Sequence, residues 1–444
     1  QETLFFATTA GVECVRAQTQ LASSSSSRRH TATRSTPARA RTRPITTLDR
    51  TALDMLAARR ALDARAHRSP TTHPRQRRHR GDARRRNDAM TRCARANDAR
   101  RDARRCAVTT GATRAPAGSA LDAARAFSNL VLDSKKFASE AEAEANAMDL
   151  GPRAGVVSSC VLLYSVKSGG RDAGAVEGAM AAIPGGLNAE NVDFVVDKAK
   201  ANLASMWSTK VDGRVSVELG WWLVNDADAC EKKAIEMLAL CDDLKTPRDK
   251  LLFKIPATYA GIEATRRLEA RGVACHVSHV YCREQANAAI DAGASVVQLY
   301  YSRLNAWYKS KKSLDANADP GYELARDALA RAKAAGGKTK IMVASLANVD
   351  AVKRVLGADY LLVGQRIIDE LANTPASDLG ETIISDAASV AVGAPARLDE
   401  AAYRAACDAS PASEELEIAL KRNAASDSEL IDYINEHKGG GGNA

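Results

Sequence analysis

Eight short β-prone runs alternate with longer stretches of helical period from about residue 120 onward, and this alternation leaves the chain very few architectures. The runs cover residues 129–133, 155–163, 214–218, 251–255, 274–280, 295–301, 340–345 and 360–363. Ala-rich amphipathic stretches at 228–244, 262–271, 283–292, 322–335 and 349–356 separate most of them. Strands interleaved with helices imply parallel strands joined by crossover helices. Eight such units over roughly 250 residues or more is the size of an α/β (β/α)8 TIM barrel. A doubly wound open sheet is the alternative. It usually carries a Gly-rich phosphate turn after its first strand, and the sequence has neither G-x-G-x-x-G nor a P-loop.

Charge divides the chain into two unlike parts. Residues 1–115 hold 26 Arg, no Lys and 9 acidic residues, a charge of +17. Residues 116–444 hold 37 Lys+Arg against 45 Asp+Glu, a charge of −8, so the net +9 belongs to the head. The head is rich in Ser, Thr, Arg and Ala and has no sustained apolar period, so it is expected to be disordered. An Arg- and Ser-rich, acid-poor leader is what an organelle transit peptide looks like. Met90 offers an internal start, which would make residues 1–89 translated upstream sequence. A nucleic-acid-binding arm is the third reading, and Arg without Lys or interleaved aromatic rings suits it least. The acidic body lacks the basic face of a nucleic-acid binder. No stretch approaches the ~18–20 apolar residues of a membrane span. Nine scattered cysteines without a C-x-x-C pair or zinc spacing argue against a disulfide scaffold and a structural metal site.

Two strands carry a charge where a barrel should be apolar. In 214–219 the apolar residues 215, 217 and 219 point one way, and Arg214, Ser216 and Glu218 point the other. The apolar set of a barrel strand faces the helices, so Glu218 faces the interior at the strand's C-terminal end. Lys254 sits within the apolar run 251–256. Lysine is almost never fully buried without a partner or a task. Burial would depress its pKa toward the neutral amine that attack on a carbonyl requires. A buried Glu218–Lys254 ion pair, or a Lys254 that reaches out at the strand end, is the plain structural alternative. Both residues fall at the C-terminal mouth, where barrel active sites sit. His276 and His279, three apart on a strand, are expected on opposite faces. Trp221 and Trp222, being adjacent, are likewise expected to diverge.

At these residues the sequence resembles the transaldolase family of Schiff-base-forming aldolases, over roughly residues 120–435. The carrying segments are 213–218, 249–258 followed by Gly261-Ile262-Glu263-Ala264, and 303–308, with Asp319-Pro320-Gly321 and Ala344-Ser345. It looks most like the divergent branch of plants and green algae. The resemblance implies that Lys254 forms the Schiff base with a ketose phosphate such as sedoheptulose 7-phosphate or fructose 6-phosphate. It implies that Glu218 shuttles protons through a water and that Asp133 takes the C4 hydroxyl proton. Arg303 and Ser345 match phosphate-binding positions, and Ser278, Ser158 and Gln298 match other substrate-binding ones. A dihydroxyacetone unit would pass between sugar phosphates in the pentose phosphate pathway, with no metal or organic cofactor. A homodimer and a chloroplast location, or alternatively a cytoplasmic one, are also implied.

The chain departs from the family pattern in several places. Ser158 and His276 replace asparagines, Gln298 replaces a serine, and Ala347 replaces a phosphate-binding arginine. Gly220-Trp221-Trp222 follows the glutamate in place of Asp-Ala-Arg. Arg366 is either a substitute charge or a solvated helix-start arginine. These changes leave two further readings open: a Schiff-base aldolase acting on another sugar, and a non-catalytic regulatory barrel. Residues 413–421 and 427–437 read as terminal helices, which the resemblance implies would cap the mouth, ahead of a Gly-rich tail.

Overall fold

The computed structural model describes residues 118–132, 154–183, 188, 191–311, 318–394 and 397–437. The Arg-rich head and Asp133 lie outside the described residues, as does the Gly-rich tail.

Eight strands form one sheet: β1 Asn129–Leu132, β2 Ala154–Val157, β3 Arg214–Glu218, β4 Leu251–Pro256, β5 Cys275–Val280, β6 Val296–Tyr300, β7 Lys340–Ala344 and β8 Tyr360–Val363. Their order is β1-β8-β7-β6-β5-β4-β3-β2, and every ladder is parallel. The helices are α1 Ala120–Phe127, α2 Ser159–Ser168, α3 Gly174–Ala181, α4 Val192–Ser208, α5 Ala227–Asp243, α6 Tyr259–Ala270, α7 Arg283–Asp291, α8 Tyr301–Ser310, α9 Pro320–Ala334, α10 Val349–Arg354, α11 Gln365–Ala372, α12 Ile383–Ser389, α13 Glu400–Asp408 and α14 Ala412–Glu436. The architecture is a (β/α)8 barrel, nearly closed, with additional helices after β8.

Alternation along the strands builds two cores. Val215, Val217, Phe253, Ile255, Val277, Val297, Leu299, Ile341, Val343, Leu361 and Val363 face the helices and are buried. Each such side chain contributes about 1.5–3 kcal/mol on burial. Val131, Leu252, Val296 and Met342, from four strands, fill the barrel interior as a separate apolar layer. Polar interior positions begin level with that layer and continue toward the C-terminal ends: Ser216 pairs with Leu252, His276 with Val296 and Gln298 with Met342, and Lys254 lies two residues beyond Leu252.

Two sequence expectations are corrected. The run 155–163 is half strand and half helix, because Ser158 ends β2 and caps α2 by accepting from Val161 N at 3.4 Å. A Ser at the N-cap satisfies one of the orphan amides of the first turn. The two terminal helices are one, α14, since residues 422–426 contain neither Gly nor Pro to break it.

Local chemistry fixes the turns that lead into the helices beyond the mouth. Thr258 caps α6 by accepting from Gly261 N at 2.9 Å. A Cβ on Gly261 would stand 2.2 Å from the Pro256 carbonyl oxygen, so only glycine fits there. Asp319 caps α9 ahead of Pro320 and accepts from Asn305 Nδ2 at 2.8 Å, while Asn305 Oδ1 accepts from Gly321 N at 2.8 Å. The motif segments 303–308 and 319–321 are therefore one interlocked corner.

Candidate active site

Register sets Glu218 and Lys254 side by side. The two residues pair directly between β3 and β4, so both side chains emerge at the same height on the same face. Lys254 Nζ lies 3.2 Å from Glu218 Oε2, with the side chains 13% and 16% exposed. The pair is nearly buried yet open at the C-terminal mouth, as a residue that must meet a substrate requires. The other oxygen of Glu218 accepts from Asn423 Nδ2 at 2.6 Å, so a residue of α14 orients the carboxylate.

His276 pairs with Lys254 in the β4–β5 ladder and is fully buried. Its Nδ1 lies 2.8 Å from Oγ of Ser216, the register partner of Leu252. Burial lowers its pKa to about 3, and the nearby Lys254 charge pushes the same way. The Gln298 amide is near enough to offset part of this shift without reaching well-formed geometry, so His276 Nε2 and Gln298 Oε1 both lack a full hydrogen bond. His279 is likewise held neutral, at about 3, by burial and then by Lys254, Arg303, Arg422 and His276.

The expected opposition of the two histidines is not observed. The β5–β6 register shifts between Val277 and Val280, and His279 takes φ 60°. This bulge breaks the two-residue period and brings the second ring to the mouth as well, stacked on Tyr300 at 5.5 Å. Such left-handed non-glycine residues are strained and concentrate at functional sites. Ser345, just after β7, is a second one, at φ 59°. Its carbonyl accepts from Ser302 N at 3.0 Å, and Ser302 Oγ accepts from Ala347 N at 3.2 Å. The loop after β7 is thereby pinned to the first turn of α8, which carries Arg303.

Arg303 lies over the Tyr300 ring at 5.4 Å, and its Nη1 is 3.5 Å from Glu415 Oε2 of α14. Tyr281 Oη donates to the same carboxylate oxygen at 3.3 Å. Desolvation lowers the Arg303 pKa, but Tyr281, Tyr300 and Glu415 together leave it raised, so the guanidinium stays charged. Arg366 donates to the Ala347 carbonyl at 2.7 Å and pairs with Glu370 one turn along α11. It behaves as a helix-start arginine that also touches the position where the resemblance led us to expect a charge.

The structure thus gathers Lys254, Glu218, Ser278, Gln298, Arg303, Ser345 and Ser158 at the C-terminal ends of successive strands. Ser278 Oγ, buried, has no hydrogen-bond partner among the described residues, and neither has Trp221 Nε1. Trp221 lines a small cleft with Ser158, Lys200, Glu218 and Asn423, while Trp222 packs on the core beneath. The two rings meet edge to face at 6.0 Å on a 3-10 turn. Buried polar atoms without partners are rare in proteins. Here Ser278, His279 and Trp221 place such atoms near the Lys254–Glu218 pair, an arrangement suited to a ligand bearing several hydroxyls.

Sequence reasoning missed Asn423, Glu415, Ser216 and Ser302. The first two sit on the helix that was expected, as two pieces, to cap the mouth, but nothing in its local pattern singles out these side chains. No group of three or more His, Cys, Asp or Glu among the described residues could hold a metal ion. No described helix is long and apolar enough to cross a membrane.

The family model described as transaldolase/fructose-6-phosphate aldolase matches residues 176–429. A transaldolase of Shewanella baltica strain OS155 is 30% identical over 218 residues, which cover 49% of this chain and 68% of that protein. A probable transaldolase of Dictyostelium discoideum is 31% identical over 191 residues, 42% of this chain and 60% of that one. A transaldolase of Chlamydia pneumoniae is 30% identical over 189 residues, with 42% and 58% covered. A match running from α3 through β8 to the part of α14 that carries Asn423 makes this chain a member of the transaldolase/fructose-6-phosphate aldolase family.

Proposed function

We propose that the barrel transfers a dihydroxyacetone unit between sugar phosphates through a Schiff base on Lys254. The observation that carries the reading is the Lys254–Glu218 pair, 3.2 Å apart at the mouth of a barrel of this family. The neutral amine of Lys254 attacks the C2 carbonyl of a ketose phosphate, sedoheptulose 7-phosphate or fructose 6-phosphate. Glu218, held by Asn423, accepts the amine proton and returns one to the departing hydroxyl, so water leaves and a protonated imine forms. Removal of the C4 hydroxyl proton then breaks the C3–C4 bond, and its electrons pass into the imine to give an enamine. Asp133, which follows β1 directly in sequence, is the base that the resemblance assigns to this step. The enamine adds to a second aldose phosphate, and hydrolysis frees Lys254. The protonated imine is itself the electron sink.

Supporting the substrate assignment, Arg303 and the Ser345 turn stand together beyond β6 and β7, and a forked guanidinium suits phosphate. We assign the reaction to the pentose phosphate pathway on the resemblance to transaldolases, and the enzyme to a plastid on the composition of the Arg-rich leader. A fluorescent fusion of the full chain tests that address, and a diffuse cytoplasmic signal would refute it.

The deciding experiment adds fructose 6-phosphate and borohydride to the full chain and weighs the intact protein, with Lys254→Ala as control. The expected result is a Lys254-dependent mass gain of one reduced three-carbon unit. A folded protein that gains no mass with any ketose would refute the reading and leave a non-catalytic barrel.

A further inference from the structure

The helix that closes the mouth brings a negative charge to the cation that recognition would use. Glu415, in the first turn of α14, faces Arg303 at 3.5 Å, and the two side chains are 18% and 15% exposed. That separation is looser than the ~2.7–2.9 Å of a tight charge-assisted bond. Tyr281 Oη holds the carboxylate from the other side at 3.3 Å, and the neighbouring Glu414 accepts from Trp307 Nε1 of α8 at 2.8 Å. Tyr281 thus holds the carboxylate independently of Arg303, and Glu414 ties the first turn of α14 to α8. An anionic group arriving on the guanidinium meets this like charge a few ångströms away, in surroundings with little water to screen it. A hydroxymethyl group meets no such penalty and can donate to the same carboxylate. Across the loop, Ala347 adds no charge, and Arg366 is paired with Glu370.

We propose that Glu415 is a specificity-determining residue that weakens the hold of Arg303 on a phosphate and so narrows the preference for phosphorylated over unphosphorylated ketoses. The proposal rests on the functional reading above for its substrate, and on the Arg303–Glu415 geometry for its mechanism. It does not make Glu415 a catalytic residue.

The test measures inorganic phosphate binding to the full chain by calorimetry, which requires no turnover. Glu415→Gln keeps an acceptor for Tyr281 and removes the charge, and it is expected to bind phosphate roughly 5- to 30-fold more tightly than the parent. Arg303→Ala is expected to lose that binding. With sugars, the kcat/KM ratio of fructose 6-phosphate to fructose should rise by the same factor in Glu415→Gln, through KM. Unchanged or weaker phosphate binding in Glu415→Gln would overturn the proposal, as would binding that survives Arg303→Ala. Should Glu415→Gln fail to fold, Glu415→Asp draws the carboxylate back by one methylene and is expected to tighten binding severalfold, with no change refuting the idea. Absence of a borohydride adduct in the parent protein would remove the proposed chemistry and still leave the phosphate measurement to decide Glu415.

Discussion

Asn423 and Glu218 stand 205 residues apart in sequence and 2.6 Å apart in space. The amide fixes one carboxylate oxygen, which leaves the other facing Lys254. A hydrogen bond to a charged group contributes about 1.5–3 kcal/mol. If the orientation matters to proton transfer, Asn423→Ala slows imine formation roughly 10- to 100-fold. Rapid borohydride quenching gives that rate, and Asn423→Gln should restore part of it. An unchanged trapping rate would reduce Asn423 to a packing residue.

His276 makes stability depend on pH in a defined direction. Burial and then the Lys254 charge hold its pKa at about 3, against 6.5 for a free ring. Between those values the unfolded chain binds the proton and the folded one does not. The contribution is therefore complete above about pH 6.5 and shrinks as pH falls, by at most ~1.4 kcal/mol per pH unit. His276→Asn cannot titrate and is expected to flatten the profile of urea midpoints between pH 7 and pH 4.5. Parallel profiles for variant and parent would mean that the ring is protonated without loss of the fold.

The buried thiols should differ in reactivity. A hydrogen bond from Cys407 lowers the Cys282 pKa below its ordinary value, while burial raises Cys230 and Cys241 to about 12. Cys282 also stands at the N-cap of α7. Mass mapping after brief iodoacetamide treatment should find Cys282 alkylated before Cys230, Cys241 or Cys407, and Cys407→Ser should slow it. Equal labelling of Cys282 and Cys230 would contradict this order.

Asn305 is expected to be structural. Its side chain joins Asp319 and Gly321 N, two partners on one partly buried corner. Asn305→Ala leaves both without it and should lower stability by about 2–3 kcal/mol. Urea unfolding reads the loss. A drop in turnover without a drop in stability would place Asn305 in the site instead.

How far the sequence reached depended on whether the signal was local. The strands 214–218 and 360–363 are read to the residue, because alternation inside a barrel strand is a short-range pattern. Lys254 stood out because it interrupts an apolar run, and Glu218 because the alternation turns a charge toward the interior; their pairing then follows from register. The second half of 155–163 was misread because apolar runs do not separate a strand from a buried helix, and the deciding residue is the cap, Ser158. The opposition expected of His276 and His279 fails because a bulge is set by the neighbouring strand and leaves no mark in composition. Glu415 and Asn423 were illegible for a different reason: their partners, Arg303 in α8 and Glu218 on β3, are distant in sequence, and only the path of the chain brings them back.

α14 is one unbroken rod of 25 residues. Glu415 and Asn423, eight residues apart, are separated along it by about 12 Å. The first touches the end of the mouth where a charge would be recognised, and the second touches the carboxylate beside Lys254. A stiff lever with two contact points cannot move one without moving the other. A slide of this helix must alter recognition and chemistry together, so variants that displace the rod, unlike those that change one of its two contacts, should change KM and kcat in step.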